Sequence, residues 1–190
     1  MLRPVLIFLA AVASAAEPAK PQEFALKSTS LAGKESHLVA TLPAGFKGEI
    51  KALSNSGSAL EILRVESSDQ RAQMMITLLP PINSLGRDAA GLEALLRQNS
   101  TPFIDGSVEG KVNPFPMKLA NGIGVAAFFT DKSEVGKPAA KGQGHYKMLT
   151  NAVIRVGEST LAAVTIFNDT REQPDYLAAI KVVATLREGK

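Results

Sequence analysis

Ile123-Gly-Val-Ala-Ala-Phe-Phe-Thr130, Lys147-Met-Leu-Thr-Asn-Ala-Val-Ile-Arg-Val156 and Leu161-Ala-Ala-Val-Thr-Ile-Phe-Asn168 decide the fold. Each stretch carries apolar residues on both of its alternating faces. A strand of that kind is buried on both sides and needs a covering layer on each. The stretch that follows, Pro174 to Leu186, supplies one layer, because Tyr176, Leu177, Ile180, Val183 and Ala184 form a stripe at helical spacing. Pro174 suits a first helical turn. Glu172 and Asp175 lie near the positive end of the helix dipole and Arg187 near its negative end.

Working back toward the amino terminus, Arg71 to Leu79 places Ala72, Met74, Ile76 and Leu78 on one face of a strand that Pro80-Pro81 ends. Leu60 to Glu66 reads as its hairpin partner across Ser67-Ser68-Asp69-Gln70. Ser36 to Leu42 and Lys47 to Leu53 alternate more weakly around the turn Pro43-Ala44-Gly45-Phe46. Phe24 to Leu31 reads as a short strand or an irregular arm. Between the two strand groups, Leu85, Ala89, Leu92 and Leu96 predict a helix from Ser84 to Gln98, capped by Asn83 or Ser84 and stopped by Asn99 to Thr101 with Pro102. Ser107 to Val112 and Met117 to Leu119 suggest short strands. Asp131 to His145 is a long polar connection rich in Gly, Lys and Ala.

The order of strands, helix, strands, helix predicts an α+β fold, an antiparallel sheet with helices packed on its faces. Leu42-Pro43-Ala44-Gly45-Phe46, Tyr146 to Asn168 and Asp175 to Leu186 carry a resemblance to PsbP-like domains, including DcrB-like ones. In those domains the first segment is a Leu-Pro-x-Gly-aromatic turn, the second the penultimate hairpin and the third the closing helix. Phe46 stands where Trp is commoner. The resemblance implies an α/β/α sandwich and a role in binding or assembly rather than a reaction.

At the amino terminus, Arg3 precedes an apolar core from Val5 to Val12 and the small-x-small triplet Ala13-Ser14-Ala15. This is the pattern of a signal peptide over residues 1–16, too short in its apolar part for a membrane anchor. Residues 17–34, with Pro18 and Pro21, read as a flexible leader, and 35–190 as a single α+β domain. No later run is long and apolar enough to span a bilayer. The chain has no Cys, which removes disulfides, thiolate metal sites and thiol catalysis. Export without disulfides makes stability a matter of burial, and 45% of the residues are hydrophobic. The expected location is periplasmic or secreted.

The net charge is only +3, with no Trp and two Tyr. Nucleic-acid readers combine a basic stripe with stacking aromatics, and neither is present. His37 and His145, the two histidines, fall in different elements and have no second His at a ligand spacing. No Gly-x-Ser-x-Gly elbow occurs. The loop Gly136 to Gly144 lacks the Lys-Ser/Thr ending and the following helix of a phosphate cradle. These observations name no catalytic residue, metal ligand or cofactor.

What remains is the locally basic long loop. Lys132, Lys137 and Lys141, with His145 and Tyr146 beside them, form the candidate partner-binding set, suited to an envelope protein or an anionic surface. The expected role is an exported, non-catalytic binding or accessory domain of the bacterial cell envelope. The alternatives are a small periplasmic hydrolase, or a carrier holding an apolar ligand beneath the first helix.

Overall fold

A computed structural model describes residues 20–55, 58–80, 86, 88–138 and 145–189. Residues 1–16, read from the sequence as a signal peptide, and Lys141 lie outside these residues. Among the described residues there are ten strands and two α-helices. In chain order they are β1 (Gln22–Thr29), β2 (Glu35–Leu42), β3 (Phe46–Asn55), β4 (Ser58–Ser67), β5 (Gln73–Leu78), α1 (Ala89–Ile104), β6 (Phe115–Leu119), β7 (Gly122–Thr130), β8 (Met148–Val156), β9 (Thr160–Asn168), α2 (Pro174–Ala184) and β10 (Arg187–Glu188).

One sheet takes all ten strands, in the order β10-β2-β1-β4-β5-β9-β8-β7-β6, with β3 on the other edge of β4. Every pairing is antiparallel. The stretch expected as a leader contributes β1, which pairs along its whole length with β2 and buries Leu26.

The expected α+β sandwich with an α/β/α layering is not the architecture. The molecule is mostly antiparallel sheet, curled into a half-barrel. The reason is one of area. The strands along the main path, laid flat at about 4.8 Å spacing, would span roughly 40 Å. Helices of 16 and 11 residues are about 24 and 16 Å long and cannot cover both faces of such a sheet. The sheet therefore covers its own inner face. Leu26, Leu38, Leu42, Leu63, Met74, Ile76, Val164 and Ile154 meet in one core on the concave side. At one side of the curl β3 folds against β1 and β2. A Cβ on Gly48 would sit 2.6 Å from Phe24 Cζ and 2.9 Å from Leu42 Cδ1, so this approach needs glycine. Across the open side lies α2, touching β2, β6 and β9 and adding Tyr176, Ala179, Val182 and Val183 to the same core.

Among the described residues, β7, β8 and β9 are the strands that carry an apolar cluster on each face. Their second face (Val125, Ala127, Phe129, Leu149, Val153, Leu161) packs on the convex side against Leu92, Leu95 and Leu96 of α1. Among the described residues no helix lies over β4 and β5. There Arg64 is exposed and Gln73, Met75 and Thr77 are half-buried, in strict alternation with buried Leu63, Met74, Ile76 and Leu78.

α1 begins later and ends later than its sequence suggests. Asp88 is its N-cap, accepting a hydrogen bond from Gly91 N at 2.8 Å. The helix runs through Pro102 to Ile104 because its last turn still buries apolar side chains: Phe103 and Ile104 pack on the convex-side core. Ser107 makes an isolated bridge to Asp131 instead of opening a strand. β10, absent from the sequence reading, adds two residues to the edge of β2.

Candidate functional site

The carboxyl end of α1 and the adjoining ends of β7, β8 and β9 meet around an open cleft. Four backbone hydrogen bonds hold it. Ser107 N donates to Ile104 O and Val108 N to Thr130 O, Lys132 N donates to Gly106 O, and Asp131 N donates to Lys147 O. These bonds tie the end of α1, the start of the long loop and its return into one rim.

The cleft is about 250 Å³ in volume. Phe129, Leu149 and Phe167 form its floor, because odd-numbered residues of all three strands face the convex side. Pro102 and Phe103 form one wall and Tyr146 the other. Phe103 and Phe129 have centroids 5.8 Å apart at 46°, and Tyr146 and Phe167 5.9 Å apart at 34°. Both are tilted aromatic contacts of the favourable kind. Ser107, Asp131 and Lys147 supply the polar rim.

Each rim group already has partners. Ser107 Oγ donates to Ile104 O at 2.9 Å. Asp131 accepts from Ser133 N at 2.7 Å, and hydrogen bonds from the Ser133 hydroxyl and amide, with Lys137 nearby, hold its carboxyl below the usual carboxylate range. Burial pushes the Tyr146 phenol up, and the carboxylates of Glu66, Asp169 and Asp69 push it further.

The described members of the candidate set read from the sequence, Lys132, Lys137, His145 and Tyr146, take different places. Lys132 Nζ donates to Asp105 O at 3.0 Å, neutralising the carbonyl end of α1. Lys137 Nζ pairs with Glu134 Oε1 at 3.1 Å. Lys147 Nζ donates to Lys137 O. These ammonium groups serve acceptors at the end of α1 and within the loop. His145 is exposed at the return of the loop. Of the described members of the set, Tyr146 alone lines the cleft.

Phe103, Phe129, Leu149 and Phe167 were not singled out from the sequence. Their signal was present in the two-faced strands, but which face would end in an opening depends on where α1 stops. Among the described residues, no group of three or more His, Asp or Glu side chains is arranged to hold a metal ion. On the neighbouring face of β3 to β5 a larger groove of about 530 Å³ runs past Arg64, Gln73 and Met75 and shares Phe167 with the cleft. Compared with protein-family models, with curated proteins and with solved structures, the chain matches none.

Proposed function

We propose that this chain is an exported accessory domain of the bacterial cell envelope that binds a partner protein through the cleft between α1 and Tyr146. The observation that carries the reading is the cleft itself: an aromatic, water-accessible hollow in which the polar groups stand only at the rim. Its volume of about 250 Å³ is below the roughly 300–1,000 Å³ of small-molecule pockets. It suits one large apolar side chain, and such an anchor in a desolvated pocket is the usual centre of a protein interface. The signal-peptide pattern of residues 1–16 supports the envelope location. Because Lys132 and Lys137 are committed to Asp105 O and Glu134, an apolar anchor on a protein fits better than charge attraction to an anionic surface.

The test is photocrosslinking in intact cells, with a photoreactive residue in place of exposed His145. Gly106 lines the cleft and has open space where a Cβ would stand, so Gly106→Trp fills the hollow without crowding the backbone. The expected result is one dominant crosslinked protein, reduced at least tenfold by Gly106→Trp. Tenfold is about 1.4 kcal/mol, the low end for losing a buried anchor. No dominant protein, or one that Gly106→Trp leaves unchanged, overturns the reading.

A further inference from the structure

A sheet that does not close leaves strand ends whose N–H and C=O groups can pair with another strand. Among the described residues the sheet ends at β10 and at β6, and β3 makes a third end off β4. The first two are poor templates. β10 has two residues, and beside it Gly189 N donates to His37 O. β6 carries Pro116, which has no N–H, and lies against α2, where Ala120 N donates to Ala184 O. β3 differs. It has ten residues and no Pro, pairs with β4 along its whole length, and among the described residues no strand pairs with its other edge.

The outer face of β3 presents Lys47, Glu49, Lys51 and Leu53, all exposed. The inner face carries Phe46, Gly48 and Ile50, with Ile50 packed on the concave core. Glu49 and Lys51 stand 3.6 Å apart along the strand, 67% and 47% exposed, so both charges can be reached from outside. Across β4, Glu49 faces Arg64, whereas Lys51 faces uncharged Ile62.

Charge on an edge usually repels another strand. On β3 the signs alternate, so the effect depends on register. A partner strand must keep its outer residues on the outer face, which pairs odd positions with odd ones when the partner is a second β3. Antiparallel pairing centred on Glu49 sets Glu49 against Glu49 and Lys47 against Lys51. Centred on Lys51, it sets Lys51 against Lys51. Parallel pairing in register sets like on like throughout. Centred on Gly48, it joins opposite signs but uses only Phe46 to Ile50 before the strand ends. Centred on Ile50, it sets Glu49 against Lys51 twice, lays the Lys47 stem along exposed Leu53 twice, and brings Ile50 to Ile50 on the inner face.

We propose that β3 is a self-docking edge: two copies of this chain join β3 to β3, antiparallel about Ile50, and the Glu49–Lys51 pairs select that register. The same surface meets itself across a two-fold axis, so the contact closes as a dimer. One strand pair is small for an interface, and the dimer is therefore a concentration-dependent one. No residue of β3 lines the cleft, so this inference stands apart from the reading of the cleft as a binding site.

The test is sedimentation velocity over a dilution series of the full chain. The parent is expected to pass from monomer to dimer as concentration rises. Lys51→Glu and Glu49→Lys each set like charges opposite one another and should each weaken self-association about tenfold, while the two variants mixed should pair as the parent does. Register is read separately. The chain has no Cys, and directly opposed Cα atoms lie about 4.5–5.5 Å apart, within reach of a disulfide. Ile50→Cys should therefore oxidise to a covalent dimer faster than Glu49→Cys. This second measurement decides the matter should Glu49→Lys, set beside Arg64, fail to fold. A parent that stays monomeric across the series, a Lys51→Glu variant that associates as the parent does, or faster oxidation of Glu49→Cys than of Ile50→Cys overturns the proposal.

Discussion

Asp175 and Asp69 show how different surroundings give two carboxyls opposite pH signatures. Desolvation first, and then Asp69, push the Asp175 carboxyl above its ordinary 3.8. Between 3.8 and its raised value the folded chain binds more protons than the unfolded chain, so stability falls as pH rises through that window. For Asp69, desolvation acts upward, but hydrogen bonds from Ser67 and Arg71 outweigh it and hold the carboxyl below 3.8. The contribution of Asp69 is present above 3.8 and is lost as pH falls toward its lowered value. Asp175→Asn keeps a donor toward Asp69 and removes the charge that is poorly accommodated at neutral pH. Urea unfolding at pH 7 should therefore show this variant at least as stable as the parent, with the difference vanishing below about pH 4, where Asp175 is protonated in both states. A variant destabilised at pH 7 by the same amount as at pH 4 would contradict the upward shift of the Asp175 carboxyl.

At the scale of the element, α1 is the piece that makes the cleft, because its packing decides where an apolar sheet face is left open. Leu92 and Leu96 are fully buried and Leu95 nearly so. Beneath them Asn151 Nδ2 donates to Ser100 Oγ at 2.9 Å, and Thr165 Oγ1 lies 3.5 Å from Asn151 Oδ1. This polar contact inside an apolar interface sets the helix at one position along β8, since a slide would leave a buried amide unpaired at about 1–3 kcal/mol. Leu96→Ala should cost about 2–5 kcal/mol of stability in chemical denaturation, as a cavity-forming change in a core does. Hydrogen exchange should quicken in α1 and in β7 and β8 before it does in β1 and β2, whose core lies on the other face of the sheet. Uniform loss of protection across both cores would mean that α1 is not a separate layer.

The whole molecule is held by curvature. β3 reaches β1 and β2 at Gly48, α2 lies across the open side, and β10 joins the edge of β2. Glu188 of β10 rests on Gly157 in the β8–β9 turn, where φ is +59°. Gly48→Ala should destabilise the chain by about 1–3 kcal/mol, the usual cost of overpacking a tight contact. Gly106→Ala, with nothing within 4 Å of its Cβ, should stay within about 0.5 kcal/mol of the parent. Equal urea midpoints for the two variants would refute the close approach of β3.

Most elements could be read from the chain: the three two-faced strands, the hairpin around Ser67 to Gln70, and α2 with Pro174 at its start all follow from local periodicity and turn chemistry. The end of α1 was misread at Pro102, because tertiary burial of Phe103 and Ile104 outweighs the missing N–H. β10 could not be read because two exposed residues carry no period. Of the cleft, Tyr146 was named from the sequence, while Phe103, Phe129 and Phe167 looked like any core aromatics. Periodicity is a property of neighbours in the chain, so the sequence by itself determined which residues form strands and helices and that β7 to β9 are covered twice. How far the sheet curls, which face meets which helix, and where the covering stops depend on the total area to be buried against the helices available. That balance is struck only when all ten strands are in place, and it alone leaves the aromatic cleft open.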